Sequence, residues 1–293
     1  AMKLDDRVTA MLQRRFPKVE FIQGSLNGKD ERDERLRQAI TGADLFIRNS
    51  GMGQDVSFME FCRKIGKPYG LYGQSYFRSM VEGKGADPAR ITVIHNWADT
   101  AAIVPSEKDN SFARAHGLWD RFVVLHAGNI GLSQNLDVVI SAAALLRQRR
   151  DIVFLFIGDG NRRASLEAAV AAQGLDNVRF LPFQPRDQLR STYATSDLCL
   201  VSLKPGLAGY IVPSKLYPIL AAGRPYIAAV EASSEVAVLS ERHGCGVVAT
   251  PGHAASLAGH IERLADDPVA RAAMGRRARE AGLLFARDRQ VAL

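Results

Sequence analysis

One segment of this chain combines a glycine, a helix start and a lysine; it runs from Gly209 to Pro225 and reads GYIVPSKLYPILAAGRP. Pro213 and Ser214 predict the start of a short apolar helix, which ends at a glycine. Lys215 lies in the first turn, where unpaired backbone N–H groups and the helix dipole favour an anion. The segment therefore predicts a phosphate-bearing ligand, although an ordinary capped core helix with a surface lysine explains the local pattern equally well.

Two further glycine loops follow predicted strands in the same half of the chain. One loop contains Gly128, Asn129 and Gly131, and the other spans 158–161. Glycine lets backbone N–H groups approach a phosphate or a sugar, but a tight turn or a helix cap explains each loop taken singly. In a parallel sheet, the loops that follow the strands lie along the same edge. The three loops together therefore favour a ligand site. Phe183, in the loop after the next strand, would either pack against a nucleotide base or anchor its own loop.

The composition limits the class of protein. The 293 residues are 47% hydrophobic and carry a formal net charge of +7, which suits a globular protein with an anionic ligand or an anionic membrane face. The basic residues are scattered, so the sequence does not indicate nucleic-acid binding. No apolar run approaches the ~20 residues that span a bilayer, and no secretory signal is present. Three distant cysteines predict a reducing, cytoplasmic setting without disulfides or a zinc site.

Strand and helix patterns alternate along almost the whole chain, and a polar stretch at 98–111 separates two such series. Apolar strands alternating with helices predict parallel sheets that helices cover on both faces. We therefore predict an α/β fold of two Rossmann-like, doubly wound domains that face a cleft, at 1–100 and 101–293. The predicted strands of the second domain are Phe122–Ala127, Ile152–Ile157, Val178–Leu181, Leu198–Ser202, 226–230 and Gly246–Ala249. Its predicted helices are 136–149, 164–173, 188–195, 214–222, 234–241, 255–265 and 268–281. In the first domain, strands are predicted at 18–23, 43–48, 67–72 and 91–95, and helices at 30–41, 55–65 and 77–86.

The six histidines form no pattern of a catalytic triad or a metal site, because no two have ligand spacing on a helix face. His126 lies in an apolar predicted strand, so we interpret it as a satisfied core residue and not as a base. His95 lies at a predicted strand end. The sequence predicts no bound metal.

A series of motifs along the second half has the order and spacing of a known family. From about residue 91 to the C-terminus, the chain resembles the second half of the family-four nucleotide-sugar glycosyltransferases, which have the GT-B fold. The branch that makes bacterial capsule and exopolysaccharide sugars is the most similar. The motifs are TVIHNWAD from Thr92, VLHAGNIG from Val124, FIGDG from Phe156, FLPF from Phe180, YATSD from Tyr193, VPSK from Val212, AGRP from Ala222, SEV from Ser234 and GCG from Gly244.

The resemblance implies a donor site for a nucleoside-diphosphate sugar in the second domain and no other cofactor. It also implies transfer to an acceptor hydroxyl with retained anomeric configuration and without a bound metal. The glycine loop would border the diphosphate and sugar, the loop at Phe183 would receive the base, the segment before the short helix would line the diphosphate, and a glutamate would stand near the sugar. The implied donor-site residues are Gly128, Asn129, Gly131, Phe183, Tyr210, Ile211, Val212, Ser214, Lys215 and Glu235.

Two departures from the family pattern support a second hypothesis. Many members carry two glutamates eight residues apart, where this chain has Tyr210 and Pro218. Many also carry an arginine and a lysine in the first glycine loop, where this chain has Asn129 and Gln134. Lys215 could compensate for the lost charge. The alternative is a composite or engineered scaffold with the same fold, without catalysis and with at most weak nucleotide binding. An epimerase acting on a nucleotide sugar also shares the fold.

The first hundred residues match another group. Segments 43–55 and 66–74 resemble the N-terminal half of polysaccharide pyruvyl transferases, so a chimera with a truncated first domain is one hypothesis. The hypothesis that the first domain retains pyruvyl-transfer chemistry is less favoured than the other hypotheses. The acceptor-side candidates lie just after predicted strands, and Asp55 also fits a helix N-cap. These candidates are Asn49, Ser50, Asp55 and Gln74. The expected acceptor is a lipid-linked sugar or a polysaccharide, with peripheral attachment at the inner membrane in the lipid-linked case. The sugar, the base and the oligomeric state stay open.

Overall fold

A computed structural model describes residues 46–49, 69–72, 95–208 and 211–291. The chain divides into two units, Ala1–Pro88 and Ala89–Leu293. In the first unit, strands β1 (Phe46–Asn49) and β2 (Tyr69–Tyr72) pair in parallel.

Several sequence predictions lie outside the described residues. They include the helices predicted before residue 95, the strand predicted at 18–23, and four of the predicted site residues. Those four residues are Ser50, Asp55, Gln74 and Tyr210. The strand predicted at 91–95 can be judged only at His95, which is not in a strand.

The second unit is built on a parallel six-stranded sheet. Its order is β5–β4–β3–β6–β7–β8, so the chain winds outward from β3 in one direction and from β6 in the other. This arrangement confirms the predicted Rossmann-like α/β fold. The strands are β3 (Phe122–Ala127), β4 (Ile152–Ile157), β5 (Val178–Leu181), β6 (Leu198–Ser202), β7 (Tyr226–Ala229) and β8 (Gly246–Ala249).

Helices connect the strands. They are α1 (Ser111–Ala115), α2 (Asp137–Leu145), α3 (Arg163–Ala172), α4 (Leu189–Thr195), α5 (Leu216–Ala221), α6 (Glu235–His243), α7 (Ala254–Asp266), α8 (Pro268–Leu284) and α9 (Arg287–Val291). Short 3₁₀ turns occur at Leu132–Gln134 and Arg186–Gln188.

Successive residues of the strands are buried against opposite layers of helices. In β3, Val123 and Leu125 join the core that contains α5, whereas Phe122 and Val124 join the core that contains α2. All six residues of β4 are buried. A parallel strand covered on both faces needs this unbroken apolar run, which is why the sequence predicted these strands.

The helix boundaries differ more from the predictions. The helix predicted at 136–149 ends at Leu145. The helix predicted at 214–222 begins only at Leu216. Helix α6 extends to His243 and ends where Gly244 adopts a left-handed conformation (φ 59°). Helices α1 and α9 were not predicted at all. These short elements carry too few apolar positions to show a helical period.

The polar stretch predicted as a link lies within the second unit. Ile103 is buried in its core. Arg279 of α8 donates hydrogen bonds to the carbonyl oxygens of Thr100 and Ile103, and also to that of Ala221 at the end of α5. The Lys108 ammonium pairs with Asp197, whose carboxylate accepts the Val123 N–H. Side chains from distant helices thus satisfy the polar backbone of this stretch.

Two glycines of α8 let it approach α5 closely. A Cβ on Gly282 would lie 2.7 Å from the backbone carbon of Leu220, and a Cβ on Gly275 would lie 2.7 Å from the carbonyl oxygen of Gly223. Both contacts are with backbone atoms, which cannot move aside as a side chain can. Because α5 follows the predicted ligand segment directly, this packing also fixes the position of that segment.

We expect Gly282→Ala to lower the free energy of unfolding by about 2 kcal/mol, since the added methyl overpacks the contact between α8 and α5. The measurement is urea unfolding followed by circular dichroism. Gly259→Ala is the matched control, because it lies inside α7 with no atom within 4 Å of an added Cβ. It should stabilise the protein by roughly 0.5–1 kcal/mol. Equal effects of the two substitutions would contradict the packing argument.

Candidate functional site

The predicted ligand loops lie at the carboxyl edge of the sheet, where its winding direction changes. Strands β3 and β6 are neighbours, but the loops after them lead to opposite halves of the sheet. In open parallel sheets, such a switch point leaves a crevice outside the strand ends. The loop after β3 contains Gly128, and the chain after β6 leads to Lys215.

Backbone hydrogen bonds join the glycine loops after β3 and β4. The Ile130 N–H donates to the Asp159 carbonyl oxygen at 2.8 Å, and the Arg162 N–H donates to the Ile130 carbonyl oxygen at 3.0 Å. A Cβ on Gly158 would lie 1.9 Å from the Gly128 carbonyl oxygen, and a Cβ on Gly160 would lie 2.3 Å from that of Ile130. The two loops can therefore touch only because both positions are glycine.

Lys215 brings the short-helix segment to this pair of loops. Its Nζ lies 3.1 Å from Nε2 and 3.3 Å from Nδ1 of His126, which is in β3. A Cβ on Gly128 would lie 3.5 Å from the Cε of Lys215. Within the described ranges, no carboxylate lies within 4 Å of this ammonium. The lysine is thus placed against backbone and a histidine, without an acidic partner.

Burial changes the ionisation of both side chains. It lowers the pKa of Lys215 to about 7, because the half-buried ammonium loses hydration. Burial, and then the Lys215 charge, hold the pKa of His126 well below its usual value. His126 is 1% exposed and is therefore neutral at pH 7. With the proton on Nε2, it can donate to the Asn129 carbonyl oxygen at 3.3 Å, while Nδ1 accepts from Lys215.

The residues before α5 were expected to line a diphosphate with their N–H groups. The N–H of Ile211 instead donates to the Leu207 carbonyl oxygen at 3.2 Å, so it is not free for a ligand. The N–H groups of Val212 and Ser214 find no acceptor in the described part of the chain. Ile211 and Val212 are half-buried, and Ser214 is exposed. The available donors of this segment in the described part of the chain are therefore the N–H groups of Val212, Ser214 and Lys215 and the Lys215 side chain.

Phe183 forms an apolar surface beside the glycine loops. Its side chain is 58% exposed. Its Cε1 lies 3.4 Å from the Cβ position of Gly158. The neighbouring Phe180 stacks on Phe156 with ring centroids 4.9 Å apart, so it anchors the loop from inside. The anchoring role thus belongs to Phe180, and the Phe183 ring remains available to a flat apolar ligand group.

Asn129 and Gln134 shape the first loop. The Gln134 side-chain oxygen accepts the Gly131 N–H at 3.0 Å. The Asn129 amide nitrogen lies 2.6 Å from the Cβ position of Gly131. The loop is therefore held by neutral amide groups at the two positions where the resembling family often carries cations.

Glu235 is tied to two residues that the sequence had not assigned to the site. Its Oε1 lies 2.9 Å from Nδ1 of His95 and accepts the Tyr217 hydroxyl at 3.1 Å. Burial and the Glu235 charge raise the pKa of Tyr217. The Phe285 ring meets the rings of both His95 and Tyr217 edge-on, with centroids 5.3 Å apart in each pair. Glu235, at the start of α6, is therefore hydrogen-bonded to α5 through Tyr217, which follows Lys215 by two residues.

The structure gathers part of the predicted donor set around the glycine loops: Gly128, Asn129, Gly131, Phe183 and Lys215. His126 is buried and has polar partners, which confirms the prediction of a satisfied core residue, and it also contacts Lys215. The VLHAGNIG motif was the one available signal, because it places that histidine directly before the loop. Asn49 is the last residue of β1.

The described residues contain neither a cluster of metal ligands nor a membrane-spanning helix. No group of three or more His, Cys, Asp or Glu side chains there could hold a metal ion. In the same part of the chain, no helix has the length and apolar character needed to cross a membrane.

Comparisons with known proteins agree on one family. The family model "Glycosyl transferases group 1" matches residues 108–281. WcaI of Escherichia coli strain K12, named as a colanic acid biosynthesis glycosyl transferase, is 34% identical over 161 residues. That match covers 54% of this chain and 39% of WcaI. The chain thus spans less than half the length of this curated relative.

Solved structures show the same fold. The Anabaena protein Alr3699/HepE in complex with UDP superposes with a TM-score of 0.78 at 17% identity, covering 98% of this chain and 86% of that one. Its complex with UDP-glucose superposes with a TM-score of 0.73 at 18% identity, covering 99% and 87%.

We expect Lys215→Met to raise the Tm of the ligand-free protein by about 3 °C at pH 6, or roughly 1 kcal/mol for a domain of this size. The folded-state pKa of Lys215 is about 7, below the ordinary value of 10.5. Below pH 7 the native state therefore bears the full penalty of the buried charge. Between pH 7 and 10.5 the unfolded state binds the extra proton, so wild-type stability rises with pH and the advantage of methionine shrinks.

Differential scanning calorimetry at pH 6, 8 and 10 measures this difference. Lys204→Met is the control, because Lys204 is exposed, and its Tm profile should match that of the wild type. A Lys215→Met variant that melts at or below the wild-type Tm at pH 6 would show that the ammonium is not destabilising.

Proposed function

This chain belongs to the group 1 glycosyl transferases, and from that premise we propose that it transfers a sugar from a nucleoside-diphosphate sugar to an acceptor hydroxyl in polysaccharide synthesis. The colanic acid relative supports the polysaccharide setting. The solved structures that hold UDP and UDP-glucose support a nucleotide-sugar donor.

The observation that carries the proposal is the position of Lys215. Its amine lies against the Gly128 loop and His126, with no carboxylate in reach among the described residues. A cation beside unpaired N–H groups suits the negative charge that develops on a departing diphosphate. The Val212 and Ser214 N–H groups, without acceptors in the described part, would contribute to the same task. Phe183 would then receive the flat base at the outer side of the loops.

We also propose that the reaction retains the anomeric configuration and needs no bound metal. Lys215 and the backbone donors supply the positive counter-charge that a metal ion supplies to diphosphate in other enzymes. The donor sugar nucleotide is then the only small molecule that the reaction requires besides the acceptor.

The acceptor is assigned to the first unit. Asn49 ends β1, at the carboxyl end of a parallel strand where ligand-binding residues occur in such sheets. Ser50, Asp55 and Gln74 complete the proposed set from the sequence. The acceptor class is a lipid-linked sugar or a growing polysaccharide, and a lipid-linked acceptor would bring the protein to a membrane surface.

One observation favours the inactive scaffold as the second candidate. The first glycine loop is held by the neutral side chains of Asn129 and Gln134, and the position of the family's second glutamate is Pro218. Among the described side chains, Lys215 is thus the only cation that contacts the first glycine loop, whereas Arg163 contacts the second loop but is paired with Glu167. A scaffold of this kind would bind nucleotides weakly and transfer nothing.

Calorimetric titration with UDP, GDP and ADP distinguishes the two candidates. We expect one nucleotide to bind, and Lys215→Ala to weaken binding about 10- to 100-fold, since a hydrogen bond to a charged group contributes roughly 1.5–3 kcal/mol. Lys204→Ala, at an exposed lysine, is the matched control and should bind like the wild type. Absence of binding at millimolar nucleotide would favour the scaffold.

Turnover tests the chemistry itself. With the nucleotide sugar of the base that binds and a polysaccharide or lipid-linked acceptor, proton NMR should show a product with the donor's anomeric configuration. The rate should be unchanged by excess EDTA, because no metal takes part. An inverted product, or activity that EDTA abolishes, would refute those parts of the proposal. Conversion of the donor without any acceptor would indicate an epimerase or a hydrolase.

A further inference from the structure

The Lys215 amine has an unusual set of neighbours for a lysine that is half-buried. Its hydrogen-bonding partner is the ring of His126, at 3.1 and 3.3 Å from the two ring nitrogens. That ring is itself buried and donates towards the Asn129 carbonyl oxygen. The amine also lies beside Gly128, where no side chain intervenes. An ammonium in this position has lost water and has gained no charged partner among the described residues.

The ionisable groups of the surrounding loops are occupied elsewhere. Asp159, on the loop after β4, accepts the N–H of Gly160. Arg163 pairs with Glu167 and donates to the Gly158 carbonyl oxygen. On the other side of the crevice, Glu231 accepts the N–H groups of Gly206 and Ala208, and Glu235 bonds to His95 and Tyr217.

None of these described groups forms an ion pair with Lys215. His126 is the titratable group in direct contact with it. Burial keeps the pKa of His126 far below neutrality, so its charge does not change between pH 6 and 9. Of these two contacting groups, Lys215 is therefore the one whose charge changes in this pH range, because burial lowers its pKa to about 7.

We propose that His126 is a positioning residue that holds the Lys215 amine beside the glycine loops, and that binding of the donor diphosphate draws one proton from solvent onto this amine. The inference rests on the proposed function, because it concerns the same donor site. The inference adds that donor affinity depends on pH through Lys215. The buried, neutral His126 keeps this lysine in place.

The proton balance follows from the two states of the crevice. In the empty site, the amine loses its proton as the pH rises above about 7. When the diphosphate enters, its negative charge favours the ammonium, so a new N–H bond forms with a proton that the buffer supplies. When the nucleotide leaves, the proton returns to solvent. His126 gains and loses no proton in this exchange, because burial holds its pKa well below the usual value.

Proton uptake can be measured directly by titration calorimetry. The probe is the tightest binder among UDP-glucose, GDP-mannose and ADP-glucose, because their phosphates do not titrate near neutrality as a terminal phosphate does, with its pKa near ~6. Titrations at pH 8 in HEPES and in Tris give the protons taken up from the difference in observed enthalpy. We expect close to one proton at pH 8 and close to none at pH 6, with affinity falling up to about tenfold per pH unit above pH 8.

Lys215→Arg is the matched variant, because arginine keeps the cation and does not lose its proton in this range. Its affinity should no longer depend on pH, and its proton uptake should be zero. A wild-type protein that binds the donor with the same affinity from pH 6 to 9 and takes up no proton would overturn the inference while leaving the proposed function intact. A protein that binds none of the three nucleotide sugars at millimolar concentration would overturn both.

The role of His126 is tested by two substitutions. His126→Leu removes the acceptor for Lys215 and should weaken donor binding by about tenfold, as expected for one lost positioning hydrogen bond. His126→Gln offers both an acceptor and a donor, so it should recover most of that loss. Thermal unfolding checks that both variants are folded. Wild-type affinity and wild-type pH dependence in the leucine variant would show that His126 has no positioning role.

Discussion

The candidate site depends on the close approach of two backbone loops at the switch point of the sheet. Gly158 and Gly160 come so near to the loop after β3 that a single added methyl would lie within 1.9 or 2.3 Å of a carbonyl oxygen. Both glycines have positive φ values, 146° and 154°, which side-chain-bearing residues rarely adopt. Because the loops are joined in this way, the Gly128 backbone forms a firm surface against which the Lys215 amine rests.

The same crevice contains a conflict between stability and function. A half-buried lysine without a described acidic partner destabilises the empty protein, and its lowered pKa expresses that penalty. A salt bridge would relieve the conflict but would also occupy the cation. In the proposed arrangement the neutral His126 ring orients the amine without forming an ion pair, so the amine can take up a proton and pair with an anion. Sites that bind charged ligands often carry such a local loss of stability.

The fold could be predicted from the sequence where burial is complete. The central strands β3, β4 and β6 have the predicted bounds, because strands covered on both faces are continuous apolar runs. The edge strands β5 and β8 also have the predicted bounds, although only one residue of each is fully buried. The stretch before α1 was interpreted as a link because it is polar. Two of its carbonyl groups, those of Thr100 and Ile103, accept hydrogen bonds from Arg279, which is more than 170 residues away in the chain, and no local pattern reveals such a partner.

The sequence by itself determined the order of strands and helices, the three glycine-containing segments and the presence of a lysine in one of them. These features depend on local conformational preferences and on apolar periodicity. The tertiary structure decided which side chains meet. It placed Lys215 on His126, 89 residues earlier, because β6 lies beside β3 and directs the following chain back over the β3 loop. In the folded chain, Glu235 also contacts His95 and Tyr217. The Ile211 N–H donates to the Leu207 carbonyl oxygen within its own loop. Contacts between residues so distant in sequence follow from the order of strands in the sheet, which the linear pattern of residues does not encode locally.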